Sequence, residues 1–403
     1  MKFTEFGLNE QLIEAISYMG FEKATPIQDK AIPHIIQGRD LIGCAQTGTG
    51  KTAAFILPIL NNLLDKTTNE TSTLIIVPTR ELALQIDQQI HGFAYFTNIT
   101  SIPIYGGGDG GEWNQERKSL TTGADIIVAT PGKLIAHLMM GYVKFDKLKY
   151  LVLDEADRML DIGFHDDIMK IITYLPKKRQ TMMFSATMPP EIRKLAATIL
   201  SEPEEFSIEM SKPPEGVLQA AYLAFDAQKT PLINSLIADK PDCRSILIFC
   251  STKKKVSEIV RELRSNKYKV AGISSDLKQS EREEVLGKFK ARQIRVLVAT
   301  DVMSRGIDVK DINLVINYDA PNDAEDYVHR VGRTARAETT GIALTLINKD
   351  DMYKLERIER LIGNKIMRIP LPAELGNGPE WNPKPQRQGK RHGEPRHQRK
   401  KKA

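Results

Sequence analysis

Between an apolar run, Leu41 to Cys44, and a helix-like run, Ala53 to Leu64, lies Ala45-Gln46-Thr47-Gly48-Thr49-Gly50-Lys51-Thr52. Strand, Gly-rich turn and helix in that order form a phosphate cradle. The glycines let backbone N–H groups turn inward, and the helix N-terminus adds its positive end at the same point. Lys51 is placed to reach the β- and γ-phosphates of a nucleotide and the Thr52 hydroxyl to ligate Mg²⁺. Ala45 stands where the usual spelling of such a loop begins with Gly. A chain built on this feature is expected to be α/β, because the loop needs a buried parallel strand behind it and a helix in front.

The remaining pattern agrees. Helix-like Leu8 to Met19, a turn through Gly20 to Pro26, and helix-like Ile27 to Ile36 precede the loop. After it, apolar runs at Thr73–Val77, Asp125–Ala129, Tyr150–Leu153 and Thr181–Phe184 alternate with helical stretches. Several are apolar on both faces, as strands covered by helices on both sides are. Pro203 to Gly216 contains three prolines and reads as a connector. Alternation then restarts with Val217–Phe225, Ile246–Cys250, Lys269–Ile273, Ile294–Ala299, Leu314–Asn317 and Ile342–Ile347. The expected organisation is a nucleotide-binding domain over residues 1–206, a linker over 207–216, a second α/β domain without a phosphate loop over 217–370, and a disordered basic tail over 371–403. The tail carries nine Lys/Arg and three Glu, the whole excess of the +6 net charge, since 48 basic and 48 acidic residues remain in 1–370. Such asymmetry predicts an arm for an anionic polymer. Cys44, Cys243 and Cys250 are too scattered for a disulfide framework or a zinc site. No apolar run approaches the ~20 residues of a membrane span, and Met1 to Gly7 lacks a signal-peptide pattern. A reducing cytoplasm is the expected setting.

The run Leu151-Val152-Leu153 ends in Asp154-Glu155-Ala156-Asp157. A carboxylate at the end of such a strand is placed to hold Mg²⁺, and a second beside it to deprotonate water for attack on the γ-phosphate. Asp154 is assigned to the metal and Glu155 to the base.

With that stretch on the page, residues 3 to about 370 resemble the DEAD-box RNA helicases. The motifs are Thr25-Pro26-Ile27-Gln28, the phosphate loop, Pro78-Thr79-Arg80-Glu81-Leu82, Thr130-Pro131-Gly132-Lys133, the DEAD stretch and Ser185-Ala186-Thr187. Further on come Leu247-Ile248-Phe249-Cys250, Gln279-Ser280-Glu281-Arg282, Ala299-Thr300-Asp301 to Arg305-Gly306-Ile307-Asp308, and His329-Arg330-Val331-Gly332-Arg333-Thr334-Ala335-Arg336. The resemblance implies two tandem RecA-like domains, parallel sheets flanked by helices, and an RNA-stimulated ATPase using ATP and Mg²⁺. It implies that Gln28 reads adenine, that Phe3 packs on the base and that Asp308 contacts the ribose. Arg333 and Arg336 would be arginine fingers. Ser185, Thr187, Asp157 and His329 would couple the nucleotide site to RNA. Pro78, Thr79, Arg80, Gly106, Gly107, Thr130, Pro131, Gly132, Arg282 and Thr300 would contact the RNA backbone without reading sequence.

Taken alone, Phe3 and Phe6 are equally core anchors, and Gly106 to Gly108 equally a plain turn. Three departures from the family pattern stand out: Lys133 for the usual Arg, Ser274-Ser275 for the usual His-Gly, and Ser304 for the common Ala. An RNA clamp with incidental turnover and an NTPase acting on DNA are the rival expectations. Partners are RNA and, among proteins, ribosomal or RNA-decay factors, with no membrane.

Overall fold

The computed structural model describes residues 1–45, 49–64, 70–106, 110–207, 216–238, 240, 243–274, 276–277, 279–300, 312–334 and 341–383. Of the expected site residues, Gln46, Thr47, Gly48, Gly107, Asp308 and Arg336 lie outside them, as does nearly all of the 207–216 linker. The chain divides into two compact units at residues 211 and 212.

The first unit holds β1 (Leu41–Cys44), β2 (Thr73–Ile76), β3 (Ser101–Ile104), β4 (Ile126–Ala129), β5 (Tyr150–Leu153), β6 (Gln180–Ser185) and β7 (Glu204–Ser207). Their order in the sheet is β3-β4-β2-β5-β6-β1-β7, and every pair is parallel. Its helices are α1 (Glu10–Tyr18), α2 (Pro26–Ile36), α3 (Lys51–Leu63), α4 (Arg80–Phe93), α5 (Gly110–Thr122), α6 (Pro131–Met139), α7 (Ala156–Ile162), α8 (His165–Ile172) and α9 (Pro190–Ile199). Strand side chains alternate between two cores. Ile75, Val128, Val152 and Phe184 pack with residues of α1 to α4. Leu74, Ile76, Leu151 and Leu153 pack on the other face with residues of α6 to α9. Both faces of the central strands are therefore covered, which explains their unbroken apolar spelling.

The second unit holds β8 (Leu218–Leu223), β9 (Ile246–Cys250), β10 (Val270–Ile273), β11 (Val296–Thr300), β12 (Leu314–Asn317), β13 (Ile342–Ile347) and β14 (Met367–Ile369). Its helices are α10 (Asp226–Ala238), α11 (Lys253–Ser265), α12 (Gln279–Lys290), α13 (Ala324–Val331) and α14 (Met352–Ile362). The sheet is again parallel with order β10-β11-β9-β12-β13-β8-β14. Subtracting seven from each label reproduces the first sheet strand for strand. Two tandem RecA-like domains are thus present as expected. Among the described residues no helix is long and apolar enough to cross a membrane.

Two boundaries shift. Ser207, expected in the linker, closes β7 beside β1. Residues 371–383, expected in the disordered tail, form a strap on the second unit. Leu371 and Leu375 pack on its core, and the Gln228 amide donates to the carbonyls of Leu375 at 2.8 Å and Asn377 at 3.2 Å. A Cβ on Gly378 would collide with the Leu223 carbonyl. The Arg368 guanidinium lies 4.4 Å from the Trp381 ring centroid. A few apolar anchors and one close approach order the strap despite its polar composition.

Candidate nucleotide and RNA sites

All seven strands of the first sheet end on the same side, and the strand order sorts the functional segments along that edge. β3, β4 and β2 are neighbours and lead into Gly106, Thr130 and Pro78–Arg80. β5 leads into Asp154, β6 ends at Ser185 and β1 leads into Ala45. Candidate RNA segments therefore occupy one end of the edge and nucleotide segments the middle, with Ser185 between Asp154 and the phosphate loop.

At the loop, Ala45 is buried, and its N–H donates to the Ser185 carbonyl at 2.9 Å. Gly50 has φ +88°, a conformation costly for any residue with a Cβ. A Cβ there would also strike the Gln28 amide. Gln28 is fully buried; its Oε1 accepts from the Thr25 N–H at 2.9 Å and its Nε2 donates to the Gly50 carbonyl at 3.0 Å. The first bond belongs to the capping box that starts α2. Gln28 thus braces the phosphate loop, a role its position in sequence did not announce. One N–H and one lone pair of the amide remain for a base edge. Phe3 is 3 % exposed and enclosed by Phe6 and Phe21 at centroid distances of 6.1 and 6.3 Å. Phe3 thus also anchors an aromatic cluster, and Phe6 is the more exposed ring.

Lys51 opens α3 and is 5 % exposed; its Nζ has no hydrogen-bond partner among the described residues. A buried, unpartnered ammonium is costly, and a phosphate would relieve it. Thr52 follows, half-buried. Asp154 is 3 % exposed. Burial pushes its carboxyl up to about 6, partly opposed by the Lys51 charge. Glu155 adopts φ +52°, an uncommon region for a residue with a side chain. Its N–H donates to Asp154 Oδ1 at 2.9 Å, and its Oε2 accepts from Arg158 Nη1 at 3.0 Å. Arg158, absent from the sequence-based site, restrains the expected base. A glutamate at the i−3 position was the available signal.

Asp157 Oδ2 accepts from the Thr187 N–H at 2.8 Å and its hydroxyl at 2.9 Å. The Asp157 N–H donates to the Ser185 hydroxyl oxygen at 3.2 Å, and that hydroxyl donates to the Thr187 carbonyl at 2.7 Å. The end of β6 is tied to the first turn of α7, the helix that begins beside the two site carboxylates.

Among the candidate RNA residues, Thr79 caps α4 by accepting from the Leu82 N–H at 3.4 Å. The Arg80 guanidinium stacks on Tyr105 at 4.3 Å; Tyr105, immediately before the glycines, is a contact that the motifs did not reveal. Pro78 and Pro131 are buried, Thr130 and Arg80 half-buried, and Gly106 and Gly132 exposed. The Thr130 N–H donates to the Ile104 carbonyl at 2.9 Å, which sets the end of β4 against that of β3.

In the second unit Thr300 ends β11, half-buried, and Arg282 lies in the first turn of α12, 8 % exposed. His329, on α13, and Arg333, just beyond it, are half-buried. Arg330 instead serves the core: it donates to Asn317 Oδ1 at 3.0 Å and the Asp319 carbonyl at 2.8 Å, with its guanidinium 5.0 Å from the Phe249 centroid. Lys229, fully buried, lies 3.2 Å from an Asp226 oxygen and 3.5 Å from an Asp319 oxygen.

A phosphate loop that delivers a buried lysine to strand-end carboxylates on a RecA-like sheet defines a P-loop nucleoside triphosphatase. The DEAD/DEAH box helicase model matches residues 25–195 and the helicase conserved C-terminal domain model residues 228–338. The chain is 42 % identical over 372 residues to the ATP-dependent RNA helicase CshA of Limosilactobacillus reuteri, covering 92 % of this chain and 73 % of the relative. It is 40 % identical to the CshA of Listeria monocytogenes, at 92 % and 71 % coverage. Among solved structures, S. cerevisiae Dbp5 bound to RNA and ADP BeF3 is similar with a TM-score of 0.80 and 30 % identity, over 92 % of this chain and 95 % of that one. The chain belongs to the DEAD-box family of ATP-dependent RNA helicases.

Proposed function

We propose that the chain binds ATP with Mg²⁺ at the first unit's phosphate loop and couples RNA-stimulated hydrolysis to local strand separation or remodelling of RNA–protein complexes. The observation that carries the nucleotide reading is the buried Lys51 ammonium beside Asp154, an unsatisfied cation that a triphosphate completes. Lys51 neutralises β- and γ-phosphate charge. Thr52 and Asp154 would hold Mg²⁺, which when bound offsets charge on the transferring phosphoryl group. Glu155 takes the proton of the attacking water, and its pairing with Arg158 orients it. Asp308 contacts the ribose, and Gln46, Thr47, Gly48 and Thr49 complete the phosphate cradle.

The Ser185–Thr187–Asp157 network supports a coupling role, because it joins the strand between the loop and Asp154 to the helix after Glu155. His329 takes the corresponding role from the second unit, and Arg333 and Arg336 are its arginine fingers. RNA is held by its sugar–phosphate backbone at Pro78–Arg80, Gly106–Gly107, Thr130–Gly132, Arg282 and Thr300, with little sequence preference. Support for RNA comes from the RNA-bound Dbp5 relative. Ribosome-assembly or RNA-decay proteins are the partner class, and the cytoplasm is the setting. The test is ATPase activity with RNA or DNA as stimulator, run beside strand displacement. RNA-selective stimulation with duplex opening is expected. Stimulation by DNA alone would overturn the RNA reading, and ATPase without displacement would favour a clamp.

Replacing Gln28 by Ala is expected to raise the KM for ATP by about tenfold or more while RNA binding without nucleotide holds. The substitution removes both the brace on Gly50 and the remaining amide groups facing a base. ATP is expected to outcompete GTP in the parent protein. Equal rates with both nucleotides would leave Gln28 the brace alone.

Because the strap reaches residue 383, the basic arm to be tested is 384–403, which contains all nine Lys/Arg of the C-terminal region. Each neutralised phosphate adds ~0.7 to the salt slope of single-strand binding. If roughly half of the charges engage, deleting 384–403 lowers that slope by about 3 and leaves turnover at saturating RNA unchanged. Binding across a salt series is the measurement, and identical slopes would mark the arm as a solubilising tail.

A further inference from the structure

The helices that follow two of the candidate RNA segments are joined by a buried polar cluster. Glu116 on α5 is 6 % exposed and accepts from Lys133 Nζ at 2.9 Å and from His137 Nε2 at 3.0 Å, both on α6. His137 is fully buried and stacks on Trp113 of α5, with centroids 3.9 Å apart and planes 14° from parallel. Its Nδ1 pairs with the Tyr142 hydroxyl. Lys133 lies 4.8 Å from the centroid of the same Trp113 ring.

The proton positions follow from the partners. A carboxylate only accepts and a phenol can donate, so neutral His137 donates from Nε2 and accepts at Nδ1. Burial, which holds this imidazole below its usual range, favours the same neutral form. One carboxylate and one ammonium then balance. Lys133, its side chain 13 % exposed, spends its charge inside the protein.

We propose that Glu116 is a positioning residue for RNA: through Lys133 and His137 it fixes α6, and with it Thr130-Pro131-Gly132, against α5 and the Gly106 loop, and Lys133 serves this lock rather than gripping a phosphate. The proposal rests on reading those segments as RNA contacts. Replacing the carboxylate by an amide leaves a buried ammonium without its counter-charge and a single neutral oxygen between two donors. α6 must then shift to reach water, and its first turn shifts with it. Were Lys133 a phosphate contact, the same substitution would release its charge and tighten binding.

The probe is a single-stranded oligouridylate with the full-length protein, read by equilibrium binding across a salt series and by the RNA concentration that half-saturates ATPase. Glu116→Gln and Lys133→Gln are each expected to raise that concentration about tenfold or more, the scale of a misplaced binding group. kcat at saturating RNA and KM for ATP should stay within about twofold. Lys133→Gln should leave the salt slope unchanged, and Lys133→Arg, which keeps the pair, should behave like the parent. A slope lowered by ~0.7 in Lys133→Gln would identify a direct phosphate contact and overturn the proposal. Equal or tighter RNA binding by Glu116→Gln would also overturn it. Arg80→Ala separates the premise from the lock: if it too leaves RNA binding intact, the assignment of this edge to RNA has failed. If it weakens binding while Glu116→Gln does not, only the lock has failed.

Discussion

Alanine at Arg333 or at Arg336 is expected to slow ATP turnover at saturating RNA by about 10³- to 10⁵-fold. The charge that develops on a transferring phosphoryl group has to be met by fixed cations, and the first unit supplies Lys51 alone among the residues assigned to it. Arg330 is disqualified as the third candidate of its stretch, because its guanidinium is 3 % exposed and bonded to Asn317 and Asp319. Substituting Arg330 should therefore destabilise the second unit, a loss that thermal melting separates from a loss of turnover. Nucleotide binding to the phosphate loop should survive in both Arg333→Ala and Arg336→Ala. Single-turnover hydrolysis beside equilibrium binding of ATP makes the distinction, and losses below tenfold in both variants would remove the second unit from the catalytic site.

Glu155→Gln is expected to keep ATP bound while lowering turnover by about 10²- to 10⁴-fold. Gln retains the shape but has no basicity. Its side chain can still accept from Arg158, so the φ +52° turn and the start of α7 should persist. Asp154 is buried and its carboxyl raised to about 6; the site therefore contains a second carboxylate that is a poor substitute base while it holds a cation. Near-parent hydrolysis by Glu155→Gln would transfer the water-activating role elsewhere. If ATP binding were lost as well, the substitution would have acted through the loop, and the assignment of the base would remain to be read from Glu155→Asp.

How much of this was visible in sequence depended on whether a residue's role is local. Lys51, Asp154 and the Ser185–Thr187–Asp157 contacts follow from short motifs on adjacent strand ends, which the sheet order places side by side. β3, β7 and β14 were not anticipated because they are short edge or near-edge strands, half-exposed and without an apolar signature. Pro103 in β3 is tolerated because an edge strand can spare an N–H. Gln28 and Phe3 show the opposite limit. Their motif positions suggested a base; the fold also uses one to brace Gly50 and the other to anchor an aromatic cluster, roles the motifs did not show. Average composition hid the strap over 371–383, since three apolar side chains and one glycine in the right places outweigh a polar background. The Glu116 lock was hidden for a related reason: it joins residues that share no motif and meet only once α5 and α6 have packed.

The repeated strand order lets the two units be compared position by position, since both sheets are seven-stranded, parallel and threaded in the same sequence. The first helix after β8 begins at Asp226 and carries a Lys-Thr pair, Lys229-Thr230, one turn in, and Asp319 lies two residues beyond β12; the first unit has Lys51-Thr52 at the start of α3 and Asp154 directly after β5. In the second unit the lysine is paired internally with Asp226 and Asp319. Lys229 thus carries its own counter-charges, whereas no carboxylate pairs with Lys51 among the described residues, and only the first unit keeps a cation in reserve for a phosphate.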